Sequence, residues 1–286
     1  MKIAVLSDIH SNYVALQHCL DYAFAQKIDK FIFLGDYTAD LAYPQKTMQI
    51  LYEMKEKYDC TFIRGNKEGY WLDYRAGGEK GWKDNTVASM LYNYKNLTTD
   101  DLAFFESLDI SKKIKFDGFP EAIICHGSPY KVNENMFPDD KRTFEIMEQS
   151  ETSLILYGHT HRQGKIEHSG VCAINPGSVG MPYRSNGRAQ FMILHGVGGE
   201  WKEEFISLDY DYHRIIQEMH ESGLYEKAPY WSFITERLLI NGEITHGSAL
   251  KRVMQLCEKD TGFCVWPDIP EKYWQQGLKE LYPDCY

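Results

Sequence analysis

The stretch LILYGHTHRQG, residues 154–164, places two histidines one residue apart directly after a run of apolar residues. A run this short and this apolar is typical of a buried strand. Because an extended chain points residues i and i+2 to the same side, His159 and His161 are predicted to face one common space. The stretch therefore predicts a strand that ends in a functional site.

Four other short apolar runs end as abruptly in polar residues: IAVL before Asp8 and His10, FIFL before Asp36, TFI before Asn66, and AIIC before His126. Segments with helical spacing, residues 12–28 and 44–58, separate the first three of these runs. Alternating strands and helices predict an α/β fold with a largely parallel sheet. Such a sheet gathers ligands beyond the carboxyl ends of its strands.

The rest of the chain has a different pattern. Residues 68–112 are rich in Tyr, Trp and charge, and we expect them to form a helical insert between core strands. Three later segments alternate or run apolar with glycines between them and predict a second, partly antiparallel sheet: 164–178, 189–196 and 200–210. From Tyr212 the spacing is helical again. We predict one α/β domain over residues 1–210 and a helical C-terminal extension, residues 211–286, packed on it.

Composition excludes several classes of protein. The chain has 286 residues, 43% of them hydrophobic, which is enough for a large core. A net charge of -10 argues against a stable complex with nucleic acid, and no run of 18 apolar residues predicts a membrane span. Met1 leads straight into a strand without a signal-peptide pattern, so we expect a cytoplasmic protein. Seven scattered cysteines are typical of reduced thiols.

The five strand ends together offer two carboxylates, one amide and four imidazoles: Asp8, His10, Asp36, Asn66, His126, His159 and His161. A single histidine at a strand end is usually a hydrogen-bonded structural residue, but packing does not explain why all five runs end in such groups. Mixed nitrogen and oxygen donors suit manganese, iron, zinc, cobalt or nickel better than calcium or magnesium. Seven donors are enough for two transition-metal ions, manganese and iron above all, with Asp36 able to bridge them.

The motifs SDIHSN, FLGDY, RGNKEG, CHGSP and YGHTH resemble, in order, the D-x-H, G-D, G-N-H-[DE], H and G-H-x-H pattern of the calcineurin-like metallophosphoesterases. The resemblance covers residues 1–195, and the segment Asn175 to Pro182 is similar to the NPGSVG-P of the compact bacterial and archaeal phosphodiesterase-type branch. It implies a four-layer αββα sandwich of two mixed sheets. It also implies one metal held by Asp8, His10, Asp36 and His161, and another held by Asp36, Asn66, His126 and His159.

Charge suggests the mechanism. Two divalent metals outweigh the charges of Asp8 and Asp36, so a bridging water becomes hydroxide at neutral pH and attacks phosphorus without a covalent enzyme intermediate. We therefore predict a metal-dependent phosphoesterase or pyrophosphohydrolase, with Asp36, Asn66, Lys67 and His126 as catalytic residues.

Lys67 departs from the family motif, which has a histidine at this position. A lysine, with an ordinary pKa of about 10.4, is a poor proton donor at neutral pH but a good fixed charge. A leaving phosphate ester, with a second pKa of about 6, needs no proton. Lys67 therefore favours a phosphoanhydride substrate, unless its side chain is simply a solvated surface lysine.

Asn12, Arg64, Lys67 and Arg184 are the predicted substrate contacts, and Arg184 suits a bidentate grip on phosphate unless it forms a surface salt bridge. We expect a small phosphorylated substrate of nucleotide type, such as diadenosine tetraphosphate. A phosphodiesterase or a serine/threonine protein phosphatase is the alternative enzyme. A non-catalytic interaction scaffold is disfavoured because all seven ligand positions are filled. The sequence does not indicate an oligomeric state.

Overall fold

Two five-stranded sheets stack face to face in the computed structural model, which describes residues 1–77 and 87–285. The ten strands are β1 Lys2–Leu6, β2 Lys30–Phe33, β3 Cys60–Phe62, β4 Ser111–Phe116, β5 Phe119–Cys125, β6 Leu154–Leu156, β7 Gly164–His168, β8 Val171–Asn175, β9 Ala189–Val197 and β10 Glu200–Leu208. The first sheet has the order β10-β9-β1-β2-β3, and the second has the order β4-β5-β6-β8-β7. Both sheets are mixed, as predicted.

Helices cover the outer faces of both sheets. The α-helices are α1 Tyr13–Ala25, α2 Pro44–Lys57, α3 Asn66–Arg75, α4 Ala88–Lys95, α5 Thr99–Glu106, α6 Lys141–Glu148, α7 Tyr212–Glu221, α8 Leu224–Lys227, α9 Pro229–Asn241, α10 His246–Thr261 and α11 Glu271–Leu281. Helices α3 to α5 lie in the predicted insert, of which residues 78–86 fall outside the described residues. The predicted starts of α2 at Pro44 and of the C-terminal helices at Tyr212 are confirmed.

Strand β1 shows why the apolar runs are continuous. Ile3 and Val5 point into the core between the sheets, whereas Ala4 and Leu6 point into the core between the first sheet and its helices. A strand buried on both faces needs apolar residues at every position. A further apolar cluster, which includes Ile146 of α6, covers the outer face of the second sheet. The result is the predicted αββα sandwich.

One part of the sheet prediction is wrong. Strands β9 and β10 do not join β7 and β8 in the second sheet, because β9 pairs antiparallel with β1 and β10 pairs with β9. The second sheet instead contains β5 and β6, which pair in parallel. The apolar pattern of β9 identifies a central strand, but both sheets have a central position that it could fill.

The C-terminal helices belong to two apolar clusters. Ile215 and Met219 of α7 and Leu238 of α9 join the core on the first sheet. Residues of α10 and α11 pack with the outer side of α9 in a separate cluster. No helix in residues 1–77 or 87–285 is long and apolar enough to cross a membrane. The cysteines are free, as predicted. The domain boundary at residue 210 stays a prediction.

Candidate metal centre

The loops after the strands are held in an unusual backbone conformation. Five of the predicted ligands have a positive φ: Asp8, His10, Asp36, His159 and His161. This left-handed conformation costs about 1–3 kcal/mol for each non-glycine residue and persists only where the surroundings impose it. Here the first two loops hold each other, since the backbone N–H of Asp8 donates to Gly35 at 3.1 Å and that of His10 donates to Asp36 at 3.0 Å.

Glycines next to the ligands allow the loops to approach closely. A Cβ on Gly35 would lie 2.4 Å from the backbone nitrogen of Gly65. A Cβ on Gly65 would lie 2.2 Å from Oδ1 of Asp36, and one on Gly158 would lie 2.0 Å from Oγ of Ser7. The glycines of the GD and GN motifs therefore bring the ends of β2 and β3 into backbone contact, and the glycine of the GH motif lets the end of β6 lie against the Ser7 side chain at the end of β1.

The segment after β8 fastens these loops from behind. Asn175 donates its side-chain amide to the carbonyl of Gly158 at 2.7 Å, and the Ser178 hydroxyl donates to the carbonyl of Asp8 at 2.7 Å. The backbone N–H of Gly180 donates to the same Asp8 carbonyl at 3.0 Å. This NPGSVG segment thus ties the end of β1 to the end of β6.

The two carboxylate oxygens of Asp8 differ in their hydrogen bonds. Its Oδ2 accepts from the Ser7 hydroxyl at 2.6 Å and from the backbone N–H of His159 at 3.0 Å. Its Oδ1 is buried and accepts no hydrogen bond within the described residues, although Nε2 of His161 lies 3.2 Å away. A buried carboxylate oxygen without a partner is costly, and a cation would satisfy it.

Two histidines face each other beside this oxygen. The Nδ1 of His161 donates to the carbonyl of Met181 at 2.6 Å, and the Nδ1 of His10 is 2.8 Å from Oδ2 of Asp40. Their Nε2 atoms are only 3.2 Å apart. If both rings are neutral, two lone pairs point at each other, so the arrangement requires a positive charge between them. Asp8, His10 and His161 therefore fit a metal ion.

A second group lies on the other side of Asp36. The Nδ1 of His126 donates to the carbonyl of Leu34 at 2.6 Å, and its Nε2 is 3.4 Å from Oδ2 of Asp36 and 3.0 Å from Oδ1 of Asn66. The same Asp36 oxygen is 3.7 Å from Nε2 of His10. The ring centroid of His159 is 5.2 Å from that of His126. Asp36 therefore lies between two groups of potential ligands, which fits a dinuclear metal site.

Opposite charges in the metal-free cluster shift its pKa values. Burial disfavours the charged forms, but His161 and His126 hold the pKa of Asp8 well below its usual range. Burial also opposes a charge on His126, yet Asp36 and Asp8 raise its pKa to about 10. Burial and the neighbouring His126 lower the pKa of His159 to about 4. A cation that binds here replaces a proton on His126.

Glu68 supports the site from within the protein, a role that the sequence reasoning missed. Its Oε2 accepts from the backbone N–H groups of Asp36 at 2.9 Å and Gly65 at 2.7 Å, and its Oε1 accepts from that of Tyr37 at 2.8 Å. Burial and the Asp36 carboxylate raise the pKa of Glu68 to about 7. A local signal was present, since Glu68 is the third residue of α3 and its side chain accepts from the backbone N–H of the N-cap residue, Gly65, as the glutamate of a capping box does.

Asp40 is a second residue beside the predicted ligands whose role the sequence pattern did not indicate. Its Oδ2 lies 2.8 Å from Nδ1 of His10 and 3.5 Å from Nζ of Lys67, and its Oδ1 accepts from the indole N–H of Trp231 at 2.6 Å. Burial disfavours the Lys67 charge, but Asp40 and Asp36 outweigh this and raise the lysine pKa. Lys67, whose side chain is only 14% exposed, is therefore a fixed positive charge beside the predicted ligands and not a solvated lysine.

The other predicted substrate contacts lie in different surroundings. Asn12 is fully buried, and its amide hydrogens donate to the carbonyl of Gly180 and the hydroxyl of Tyr210. Arg64 is half-buried. Arg184 is exposed, with its guanidinium 5.1 Å from the centre of the Tyr183 ring. The structure thus gives Asn12 contacts within the fold and leaves the Arg184 side chain accessible.

The family model of the calcineurin-like phosphoesterase superfamily domain matches residues 1–198. The chain belongs to this superfamily. It is 26% identical over 258 residues to the uncharacterized protein MJ0912 of Methanocaldococcus jannaschii. This alignment covers 83% of this chain and 97% of that protein. Because the matched motifs surround buried Asp/His groups, this calcineurin-like phosphoesterase is a metal-dependent phosphoesterase.

Two solved structures share the fold of this phosphoesterase. The hypothetical protein PH1004 of Pyrococcus horikoshii superposes with a TM-score of 0.73 at 21% identity, covering 84% of this chain and 98% of that one. A metallophosphoesterase of Sphaerobacter thermophilus superposes with a TM-score of 0.68 at 23% identity, covering 85% and 99%. Both superpositions cover a larger part of this chain than residues 1–198, which the family model matches. The shared fold therefore extends beyond the segment that contains the motifs.

Proposed function

We propose that the protein is a dinuclear-metal phosphohydrolase that cleaves a nucleotide-type phosphoanhydride, with diadenosine tetraphosphate as the specific candidate. The observation that carries this proposal is the ion pair between Lys67 and Asp40, 3.5 Å apart, where the family motif has a histidine. The proposal places this member in the compact phosphodiesterase-type branch.

The metal ligands follow from the two groups around Asp36. We assign one ion to Asp8, His10, Asp36 and His161, and the second to Asp36, Asn66, His126 and His159. Manganese and iron suit these nitrogen and oxygen donors. When bound, the two ions supply an acidified water as nucleophile and positive charge for the phosphoryl oxygens.

Lys67 determines which leaving group the site favours. Its ammonium stays protonated because Asp40 and Asp36 raise its pKa against the effect of burial. It therefore donates a hydrogen bond to a leaving oxygen and places a positive charge beside that oxygen, but it does not readily give up its proton. A leaving phosphate, with a second pKa of about 6, departs without protonation, whereas an alkoxide does not. The lysine thus favours anhydrides over alkyl esters.

Arginines next to the site provide contacts for more distant phosphates. The exposed guanidinium of Arg184 is able to form a bidentate pair with a phosphate, and Arg64 precedes the Asn66 motif in the same loop. A substrate with several phosphates in a row would use both the metals and these side chains. This is a second reason to prefer a dinucleoside polyphosphate.

A substrate panel tests the proposal. The manganese-loaded protein is assayed with diadenosine tetraphosphate, a cyclic nucleotide, an aryl phosphodiester and a phosphopeptide, and products are separated to locate the bond cleaved. We expect the highest kcat/KM for the dinucleoside polyphosphate. A higher kcat/KM for the phosphopeptide or the cyclic nucleotide would replace the proposal with a protein phosphatase or a phosphodiesterase. No hydrolysis by metal-loaded protein would point to a scaffold.

A further inference from the structure

A helix of the C-terminal extension is hydrogen-bonded to the metal centre. Trp231, in the first turn of α9, donates its indole N–H to Oδ1 of Asp40 at 2.6 Å. The other oxygen of Asp40 is 2.8 Å from Nδ1 of His10, whose Nε2 faces His161. The contact therefore runs from indole to carboxylate to imidazole, and it ends on a predicted metal ligand.

The Trp231 ring is held firmly where it makes this bond. It stacks on the ring of His246, with centroids 4.4 Å apart and planes tilted by 24°. His246 Nε2 is in turn 2.8 Å from the hydroxyl of Thr235, one turn along α9. Trp274 makes a T-shaped contact with the same ring, with ring centroids 6.4 Å apart and planes at 69°. Aromatic contacts of this kind restrict the rotation of the indole.

The far end of α9 is fixed to the same region. The carbonyl of Gly242, which ends the helix, accepts from the backbone N–H of Arg184 at 2.6 Å. A Cβ on Gly187 would lie 2.5 Å from the carbonyl of Leu239. Helix α9 is thus docked on the loop that follows the NPGSVG segment, and its position relative to the metal ligands is set at both ends.

Asp40 needs an anchor because two nitrogen donors compete for one of its oxygens. Its Oδ2 faces both Nδ1 of His10 and Nζ of Lys67, which is 3.5 Å away. With Oδ1 bound by the indole, the carboxylate has one orientation. Without the indole N–H, Oδ1 would be a buried oxygen lacking a donor, and the carboxylate would gain by turning towards Lys67. His10 would then lose the bond that orients its ring.

We propose that Trp231 is a positioning residue for the metal centre, which holds Asp40 in the orientation that presents His10 to a metal ion. The inference rests on the dinuclear site of the proposed function and adds a contribution from the C-terminal extension to it. Carboxylates that orient metal-binding histidines typically change metal affinity by 10- to 100-fold when altered. Because Trp231 acts through such a carboxylate, we expect an effect at the lower end, about tenfold.

Trp231→Phe tests the role, since it keeps an aromatic ring against His246 and removes the indole N–H together with the pyrrole part of the ring. Trp201→Phe is the matched control: it makes the same change in β10, where the indole N–H donates to the carbonyl of Pro120 at 3.1 Å and the ring packs against Phe116 and Phe119. Manganese binding to the metal-stripped full chain is measured by titration calorimetry. We expect one manganese site to weaken about tenfold in Trp231→Phe and neither to change in Trp201→Phe.

Kinetics provide a second measurement. At limiting manganese, kcat of Trp231→Phe should fall with KM unchanged, and saturating manganese should restore it. Equal manganese affinity in the two variants would overturn the positioning role and leave Trp231 as a packing residue. If Trp231→Phe does not fold, Asp40→Asn replaces it, since the amide oxygen still accepts from the indole but presents no carboxylate to His10. Normal manganese binding by Asp40→Asn would also overturn the proposal.

The outcomes separate this inference from the proposed function. A wild-type protein that binds two manganese ions but cleaves no phosphoanhydride would overturn the proposed substrate, and the affinity difference between the variants would still support the positioning role. A wild-type protein that binds no manganese would overturn both.

Discussion

Two histidines in different regions of the molecule have pKa values shifted in opposite directions. In the metal centre, burial opposes a charge on His10, but the carboxylates of Asp40 and Asp8 raise its pKa to about 9. In the C-terminal extension, burial lowers the pKa of His246 to about 4, despite the more distant Asp40. The metal centre is thus built around positive charge and strained loops, whereas the extension is built from relaxed helices and a neutral ring.

The difference separates two kinds of stability. The loops of the metal centre satisfy their buried carboxylates fully only when a cation is present, because Oδ1 of Asp8 accepts no hydrogen bond from any residue in the described part of the chain. The cluster of α9, α10 and α11 is held together by contacts between apolar side chains. Changes in the first region should therefore affect activity and metal-dependent stability, and changes in the second should affect stability at every metal concentration.

The largest effect is expected from Asp36→Ala, which removes the carboxylate between the two ligand groups. We expect kcat/KM to fall by about 10³-fold or more, since both ions lose a shared ligand. Hydrolysis of the best substrate and manganese stoichiometry are the measurements. Asp139→Ala, at an exposed aspartate, is the control and should retain wild-type activity. If Asp36→Ala binds two manganese ions and has a normal kcat, Asp36 does not bridge the two ions.

Manganese should stabilise the protein through the first region alone. At a concentration one hundred times Kd, each site is expected to add about 2.7 kcal/mol to the free energy of unfolding. Urea unfolding with manganese or with a chelator measures this. The gain in the free energy of unfolding should disappear in Asp36→Ala. It should persist in Trp274→Phe, a variant in the apolar cluster of the C-terminal helices. An equal gain in wild type and Asp36→Ala would mean that manganese binds elsewhere.

Lys67→Ala should lower kcat/KM for a dinucleoside polyphosphate about thirtyfold, which corresponds to about 2 kcal/mol of transition-state stabilisation. The reason is that the variant removes the positive charge that stabilises the leaving group. Manganese affinity and hydrolysis of an activated aryl diester should change less. Lys67→His should recover activity on poor leaving groups, because an imidazole with a pKa of about 6.5 donates a proton near neutral pH. Lys141→Ala, at a lysine 91% exposed on α6, is the control. Wild-type kinetics for Lys67→Ala on every substrate would remove the argument for an anhydride.

The smallest effect concerns the pH dependence of the extension. The pKa of His246 is lowered to about 4 in the folded state, so below its unfolded pKa of about 6.5 only the unfolded chain takes up this proton. Stability of the metal-free protein should therefore fall as pH drops from about 6.5 to about 4, by about 1–2 kcal/mol from this half-buried ring.

Urea unfolding of wild type and His246→Gln across this pH range provides the test. The glutamine keeps a hydrogen bond to Thr235 but does not titrate, so its stability should decline less on acidification. His213→Gln, at an exposed histidine on α7, serves as the control. If wild type and His246→Gln lose stability in parallel, the ring is not held neutral, and the contrast between the two regions is weaker than described.

The two regions also differ in how far the sequence predicts them. The strand ends were predictable because each apolar run is followed at once by its polar groups, and parallel strands bring such ends together. The rule accounts for Asp8 and Asp36, which follow the parallel strands β1 and β2 of the first sheet. Asn66 follows β3 of the first sheet and His126 follows β5 of the second, so their 3.0 Å contact also depends on how the two sheets stack. Glu68 was predictable in principle, since a glutamate at the third position of a helix commonly accepts from the backbone N–H of the N-cap residue, here Gly65.

The contact between Trp231 and Asp40 had no such signal. The two residues are 191 positions apart. Asp40 lies in the loop between β2 and α2, where no helical or strand periodicity applies. The prediction that β9 belongs to the second sheet was wrong for a related reason, because a central strand has the same apolar pattern in either sheet. Contacts of this kind depend on how whole elements dock, which local patterns do not specify.

The left-handed loops restrict the replacement of the ligands during evolution. Asp and His are among the residue types enriched at positive φ, and the five ligands in this conformation are all Asp or His. A β-branched residue would be strained at the same positions whatever its affinity for metal. Single substitutions can therefore exchange one nitrogen or oxygen donor for another far more readily than they can introduce a threonine or valine. Apart from glycine, the residues that this backbone accepts most easily are therefore Asn, Asp and His, which can all bind a metal.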